Sequence, residues 1–295
     1  MPSFLLQVLL VWIWNVCESW PLRNSRTHTG ISTRRGSVVN DSEIVTALRR
    51  EVILPFDTEK YDFKGEVRKI LQFFLEIEDL PALNELHHKK EATEFRLNQS
   101  KGRALNRVNR IQSKWNLHRA RLPEYAAIYK DFDELYNVFI QEVIAPDMSE
   151  QEKIIYQRAP TLRICIPSEF ISCKIHHDRE YNHQPSELNF WMPLTDAFAN
   201  NSLWVESEPF KNDFHCLDMC YGQYFRFYGN QCRHFTKPND TGKTRVSLDY
   251  RVVSNKCGGH NPSFRQGINR GPKAQNKDTF DIPHFYQTGA TIHKK

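Results

Sequence analysis

Glycine is scarce, with 12 among 295 residues, and no segment of the chain repeats another. Both absences exclude a low-complexity or repeat-built chain and suit packed sheets. Long hydrophobic runs are also missing. The apolar run Phe4 to Trp14 has 11 residues, whereas a helix that spans a bilayer needs about 20. No stable membrane span is therefore expected. The charge excess is small, at +5, which is not the strong basic bias of a dedicated nucleic-acid binder. Seven cysteines are present, but Cys216 and Cys220 have no second pair to complete a zinc site. The spacing is too loose for a small disulfide scaffold, so buried free thiols are expected.

What is present starts with a leader-like beginning. The run from Phe4 to Trp14 fits the apolar centre of a signal peptide. The stretch from Ser19 to Asn40 carries Arg23, Arg26, Arg34 and Arg35, many hydroxyl residues and no acid. That composition is transit-peptide-like and points to an organelle or a secretory route in a eukaryote. The sequons at Asn40, Asn98, Asn200 and Asn239 would matter only in a secretory compartment. The chain divides into a targeting-like leader and linker over 1–50, a helical region over 51–150, a catalytic core over 151–256 and an irregular tail over 257–295.

Helical periodicity is clear at two places. Val67, Ile70, Leu71, Phe74 and Leu75 predict a helix over Glu66–Leu80. Phe132, Leu135, Tyr136, Phe139 and Val143 form one stripe over Asp131–Ile144, closed by Pro146. Between them Arg103, Arg107, Arg110, Lys114 and Arg121 follow helical spacing. They form either a solvated face or an attraction for an acidic substrate. After Thr161 the period changes to two. Leu162, Ile164 and Ile166 alternate with Arg163 and Cys165, and short aromatic-rich runs follow, divided by turns at Asn200-Asn201, Gly229-Asn230 and Asp240-Gly242. This pattern predicts a mainly β jelly roll, with the helical region packed against it.

The chemistry is concentrated in His176-His177-Asp178. On an extended strand, residues two apart share a face. One imidazole and one carboxylate can then point into the same cavity while His177 faces away. His234, after the Gly229-Asn230 turn, is the best third ligand. Two histidines and one carboxylate leave open positions on an octahedral metal. Eleven residues later come Arg245 and Ser247, which share a strand face. A guanidinium and a hydroxyl suit a carboxylate whose other end reaches the metal. Asn189, Trp191, Trp204 and Glu206, on strands between the ligands, and Lys174, in phase with His176, are candidate pocket residues. Asp249 shares the face of Arg245 and is a possible ion-pair partner for it or for Arg251.

HxD, a distal His and RxS in this order resemble the Fe(II)/2-oxoglutarate-dependent oxygenases. The nearest likeness is to the phytanoyl-CoA-hydroxylase-like side and to the oxygenases encoded beside streptomycin biosynthesis. The stretches ELNFWMPLTDAFANNSLWVESEP and GKTRVSLDYRV carry the likeness, which covers roughly residues 130–255. HxD alone would mean little. The resemblance implies a double-stranded β-helix, cupin-like core, with Fe(II) on His176, Asp178 and His234 and 2-oxoglutarate on Arg245 and Ser247. It implies that dioxygen and 2-oxoglutarate are consumed, that succinate and CO2 are released, and that a C–H bond of a small metabolite is oxidised. The outcome would be hydroxylation, or oxidative ring closure of the kainoid type. Halogenating relatives carry a small residue in place of the carboxylate, so Asp178 implies no halogenation. Two other readings use the same residues: a silent jelly-roll binding protein, and a zinc hydrolase that would leave Arg245 and Ser247 without a task.

Overall fold

The computed structural model describes residues 41–93, 95–98, 103–106, 111–112, 115, 126–148, 153–261 and 286–290. The leader-like segment lies outside them, as do Arg107, Arg110, Lys114 and Arg121. Asp41–Arg49 is helix α1, Val52–Pro55 strand β1 and Phe63–Leu75 helix α2. Phe95–Asn98 and Arg103–Asn106 are β2 and β3, which pair as a hairpin. Arg103 therefore sits on a strand, where its spacing had suggested a basic helix. Ala126–Phe139 is α3, continued by a π turn over Ile140–Ile144. The core strands are β4 (Lys153–Gln157), β5 (Thr161–Cys165), β6 (Glu187–Pro193), β7 (Trp204–Val205), β8 (His215–Cys216), β9 (Gln223–Phe227), β10 (His234–Phe235) and β11 (Arg245–Val253).

The larger sheet has the order β1-β9-β6-β11-β4-β12, where β12 is Tyr286–Ala290, and β5 also pairs with β11. The smaller sheet has the order β10-β7-β8. All these pairings are antiparallel. This is the jelly-roll, cupin-like fold expected. The structure departs from the expected division at both ends. β1 leaves the helical region to pair with β9, and β12 is a regular strand within the supposed irregular tail.

Strand β11 explains the layering. Val246, Leu248, Tyr250 and Val252 point into one core with α2 and α3, where Tyr250 stacks on Phe190 with ring centroids 5.3 Å apart. The intervening Arg245, Asp249 and Arg251 line a cavity on the opposite face, with Ser247 buried behind them. A period of two thus assigns the apolar set to the helical layer and the polar set to the site. A second cluster of Trp191, Leu203, Val205, Phe225 and Phe227 lies on that opposite face.

Helix α2 stops at Leu75, five residues short of the expected end. Glu76 takes a left-handed conformation, φ 58°, and its N–H caps Gln72 and Phe73 carbonyls. Glu76, Glu78 and Asp79 would otherwise place carboxylates in the last turn, where the helix dipole disfavours them. Of the six described cysteines, all free, only Cys165 and Cys232 are buried. Among the described residues no helix is long and apolar enough to cross a membrane.

Candidate metal and cosubstrate site

His176 and His234 pair backbone to backbone. His176 N–H donates to the His234 carbonyl at 3.2 Å, and His234 N–H returns the bond at 2.9 Å. Residues that exchange both bonds in an antiparallel pair carry their side chains on one face. The two imidazoles consequently lie with centroids 4.3 Å apart. Their Nδ1 atoms are within hydrogen-bond reach of the Lys174 and Cys232 carbonyls, at 2.7 and 3.1 Å. Such a bond to a backbone carbonyl orients the ring and leaves Nε2 for a metal.

Asp178 does not sit on a strand. It opens a 3-10 turn, Asp178–Tyr181, capped by extended His177, whose ring pairs with Glu180 at 2.7 Å. The expectation that His177 turns away from the ligands still holds, because the chain is extended up to that point. Asp178 N–H donates to the Gly229 carbonyl at 2.8 Å. Its Oδ1 lies 3.5 Å from His176 Nε2 and 3.4 Å from His234 Nε2. One ligand atom from each of the three residues falls within 4.8 Å of the others. Burial would raise the Asp178 pKa, but the Arg251 guanidinium and both imidazoles outweigh it and hold the carboxyl well below its usual range. Burial likewise opposes charge on His176, yet hydrogen bonds to Asp178 and Cys173 push its pKa up to about 10. Two imidazole nitrogens and a carboxylate oxygen that converge on one point need a proton or a metal ion between them, and metal ligation takes the place of those protons. The donor set, two nitrogens and one oxygen with outer partners in place, fits Fe(II).

His176 and His234 open into a cavity walled by Ile164, Leu203 and Phe227 among others. Arg245 lines it and is 2% exposed. Its Nε donates to the Asn201 carbonyl at 3.0 Å and its Nη1 to Ser247 Oγ at 2.7 Å. Ser247 therefore serves the guanidinium from behind, off the cavity surface. Arg245 has no carboxylate within ion-pair distance among the described residues, and burial lowers its pKa. Leaving a guanidinium buried without an anion is expensive.

Of the candidate pocket residues, Asn189 and Trp191 line the cavity. Trp204, Glu206 and Lys174 do not. Trp204 stacks on Phe235 and is covered by Lys237, 3.4 Å from its ring centroid. Lys174 is exposed. Glu206 is buried at 1% exposure but accepts bonds from Asn212 N–H, from Arg233 N–H and from the Arg233 guanidinium, at 2.7 to 3.3 Å. It thereby pins the backbone just before His234. Burial would raise its pKa, but these donors hold it at about 2. Glu206→Gln is expected to cost about 1–3 kcal/mol of stability, measured by denaturant unfolding, without changing metal binding. Because the folded pKa is depressed, this contribution is full at neutral pH and lost as pH falls toward about 2.

Arg163, Arg251 and Thr236 also line the cavity; sequence reasoning missed Arg163 and Thr236 and had Arg251 only as the alternative to Arg245. The strand period marks two of them: Arg251 continues the series from Arg245, and Thr236 lies two residues past His234. Arg163 lies opposite Ser247 in the β5–β11 register. Asp249 pairs with Arg163 at 2.7 Å and with Arg251 at 3.5 Å, not with Arg245.

No family model matches this chain. It is similar to the streptomycin biosynthesis protein StrG of Streptomyces griseus, 32% identical over 149 residues, which is 50% of this chain and 70% of StrG. Among solved structures it is similar to EctD from S. alaskensis in its apoform, at 11% identity and TM-score 0.44, covering 80% of this chain and 85% of that one. It is also similar to the non-heme alpha ketoglutarate dependent carbocyclase SnoK from nogalamycin biosynthesis, at 11% identity and TM-score 0.41, covering 74% and 85%.

Proposed function

This chain belongs to the Fe(II)/2-oxoglutarate-dependent oxygenases of the streptomycin-biosynthesis type, and from that membership we propose that it oxidises a C–H bond of a small, carboxylate-bearing secondary metabolite. The observation that carries the reading is Arg245. It is a buried guanidinium with no carboxylate partner among the described residues, and it lines the same cavity as His176 and His234, which cluster with Asp178. Its position suits the far carboxylate of 2-oxoglutarate, with Ser247 and the Asn201 carbonyl fixing the guanidinium plane. His176, Asp178 and His234 would hold Fe(II). The bound metal and cosubstrate would supply dioxygen activation: 2-oxoglutarate and O2 would give succinate and CO2, and the second oxygen atom would enter the substrate as a hydroxyl or leave as water with the two hydrogens lost in ring closure.

The carboxylate on the substrate is argued from charge. Arg163, Arg245 and Arg251 face the cavity against Asp249 and Asp178. Asp249 takes Arg163 through Nε, and no other partner of this guanidinium is found among the described residues. That support replaces the basic helix expected from the sequence. Hydroxylation and oxidative ring closure of the kainoid type both fit such a cavity.

The test is spectroscopic. Anaerobic addition of Fe(II) and then 2-oxoglutarate to the metal-free protein is expected to give a weak visible charge-transfer band, absent in His176→Ala. Candidate metabolites are then screened for succinate release, with carboxylate-bearing ones expected to stimulate it. A folded, iron-loaded protein that gives neither band nor succinate would leave the silent binding protein as the better reading.

A further inference from the structure

We infer that Arg251 and Asn189 are positioning residues that fix the plane of the Asp178 carboxylate and present it to the metal through one oxygen, an inference that rests on the metal reading above. The two stand directly opposite each other in the β11–β6 register. Both donate to the same atom: Arg251 Nε reaches Asp178 Oδ2 at 2.8 Å and Asn189 Nδ2 reaches it at 2.7 Å. The other oxygen, Oδ1, is the one that faces both imidazoles. The terminal torsion of an aspartate is broad and roughly two-fold, so the plane of an unrestrained carboxylate turns freely. Two donors on one oxygen fix the plane and leave Oδ1 for the metal.

The donors are themselves held. Arg251 Nη1 contacts Asp249 Oδ1 at 3.5 Å and Gln157 Oε1 at 3.4 Å. The Asn189 amide lies flat against Gly229, where an added Cβ would come within 2.6 Å of its Cγ, Nδ2 and Oδ1. Glycine at 229 is thus required for Asn189 to reach Asp178, and the same residue's carbonyl anchors the Asp178 N–H. Among the described residues Asn189 Oδ1 is buried without a hydrogen-bond partner and its Nδ2 donates to Asp178, which sets the orientation of this amide. Strands β11 and β6 thus converge on one oxygen, and Gly229 holds the backbone of the residue that carries it. A group needed only to balance the charge of Asp178 would not require Asn189, which carries none.

The probe is Co(II), added to metal-free protein and followed by calorimetry and by its visible bands. Asn189→Leu removes a donor without altering charge, and Arg251→Lys keeps the charge but loses the planar Nε–H. Each is expected to weaken Co(II) binding about tenfold or more, as loss of an outer-shell partner does, and to shift the visible bands while the metal-free protein stays folded. Gly229→Ala, which displaces Asn189, should move both readouts in the same direction. Co(II) affinities within twofold of wild type and unshifted bands in the first two variants would overturn the clamp alone. Wild-type binding that survives His176→Ala unchanged would overturn the metal reading, and the clamp with it.

Discussion

Asp178→Ala is expected to lose both metal and stability. Without the carboxylate the cluster keeps two imidazoles, and Co(II) affinity should fall by more than the roughly 10–100-fold that an outer-shell loss costs. The second effect is independent of metal. Asp178 is 1% exposed and pairs with Arg251 at 2.8 Å, leaving that guanidinium with the longer contacts to Asp249 at 3.5 Å and Glu187 at 3.9 Å once it is gone. Breaking a buried pair by removing one partner costs about 3–5 kcal/mol. In a domain of this size each kcal/mol moves the midpoint by about 2–4 °C. The metal-free variant should therefore melt about 10 °C lower. Calorimetric titration with Co(II) and thermal unfolding of metal-free protein check the two halves separately. A variant that melts with the wild type would show that Asp249, Glu187 and Gln157 together satisfy Arg251.

Arg245→Met is expected to behave in the opposite way on stability. Arg245 is buried, and no carboxylate within reach balances it among the described residues. Replacing it with an apolar side chain of similar length removes an uncompensated charge, and such replacements are often neutral or stabilising. The metal-free midpoint should hold or rise. The loss falls on the cosubstrate. Truncating one side of a buried, hydrogen-bonded charge pair costs about 2–5 kcal/mol of binding, and about 3 kcal/mol is a factor of roughly 100 in the dissociation constant. 2-Oxoglutarate titrations of the Co(II)-loaded protein should show this shift with Co(II) affinity unchanged. An unaltered 2-oxoglutarate affinity would reassign Arg245, and Arg163 or Arg251 would become the anchor. A stable protein that cannot hold its cosubstrate is what distinguishes a binding arginine from a structural one.

The opposite signs follow from one difference. Asp178 has its countercharges inside the protein, whereas Arg245 has none within ion-pair distance among the described residues and has Ser247 and a carbonyl to hold its plane. Glu206 lies with Asp178 in this respect. It was a candidate for the pocket because of its place on a strand between the ligands, yet its four donors come from 212 and 233. A buried carboxylate so fully bonded supports the loop before His234 and has little left to offer a substrate.

What the amino-acid sequence determined by itself is the set of residue types and their local phase. His176 and Asp178 are two apart, Arg245, Ser247, Asp249 and Arg251 are each two apart, and the residues between them on β11 are apolar. Side-chain direction along extended chain is a local property of the backbone, so which of these groups share a face follows from counting. Tertiary structure alone decided the partners. The His176–His234 backbone pair joins residues 58 positions apart, and the Arg251–Asn189 register brings two donors to one oxygen of Asp178. It moved Asp178 from a strand onto a 3-10 turn, sent Asp249 to Arg163, and turned Trp204 and Glu206 away from the cavity. None of this could be counted along the chain, because register and loop path depend on which distant surfaces bury each other, and a one-residue slip would reverse every face.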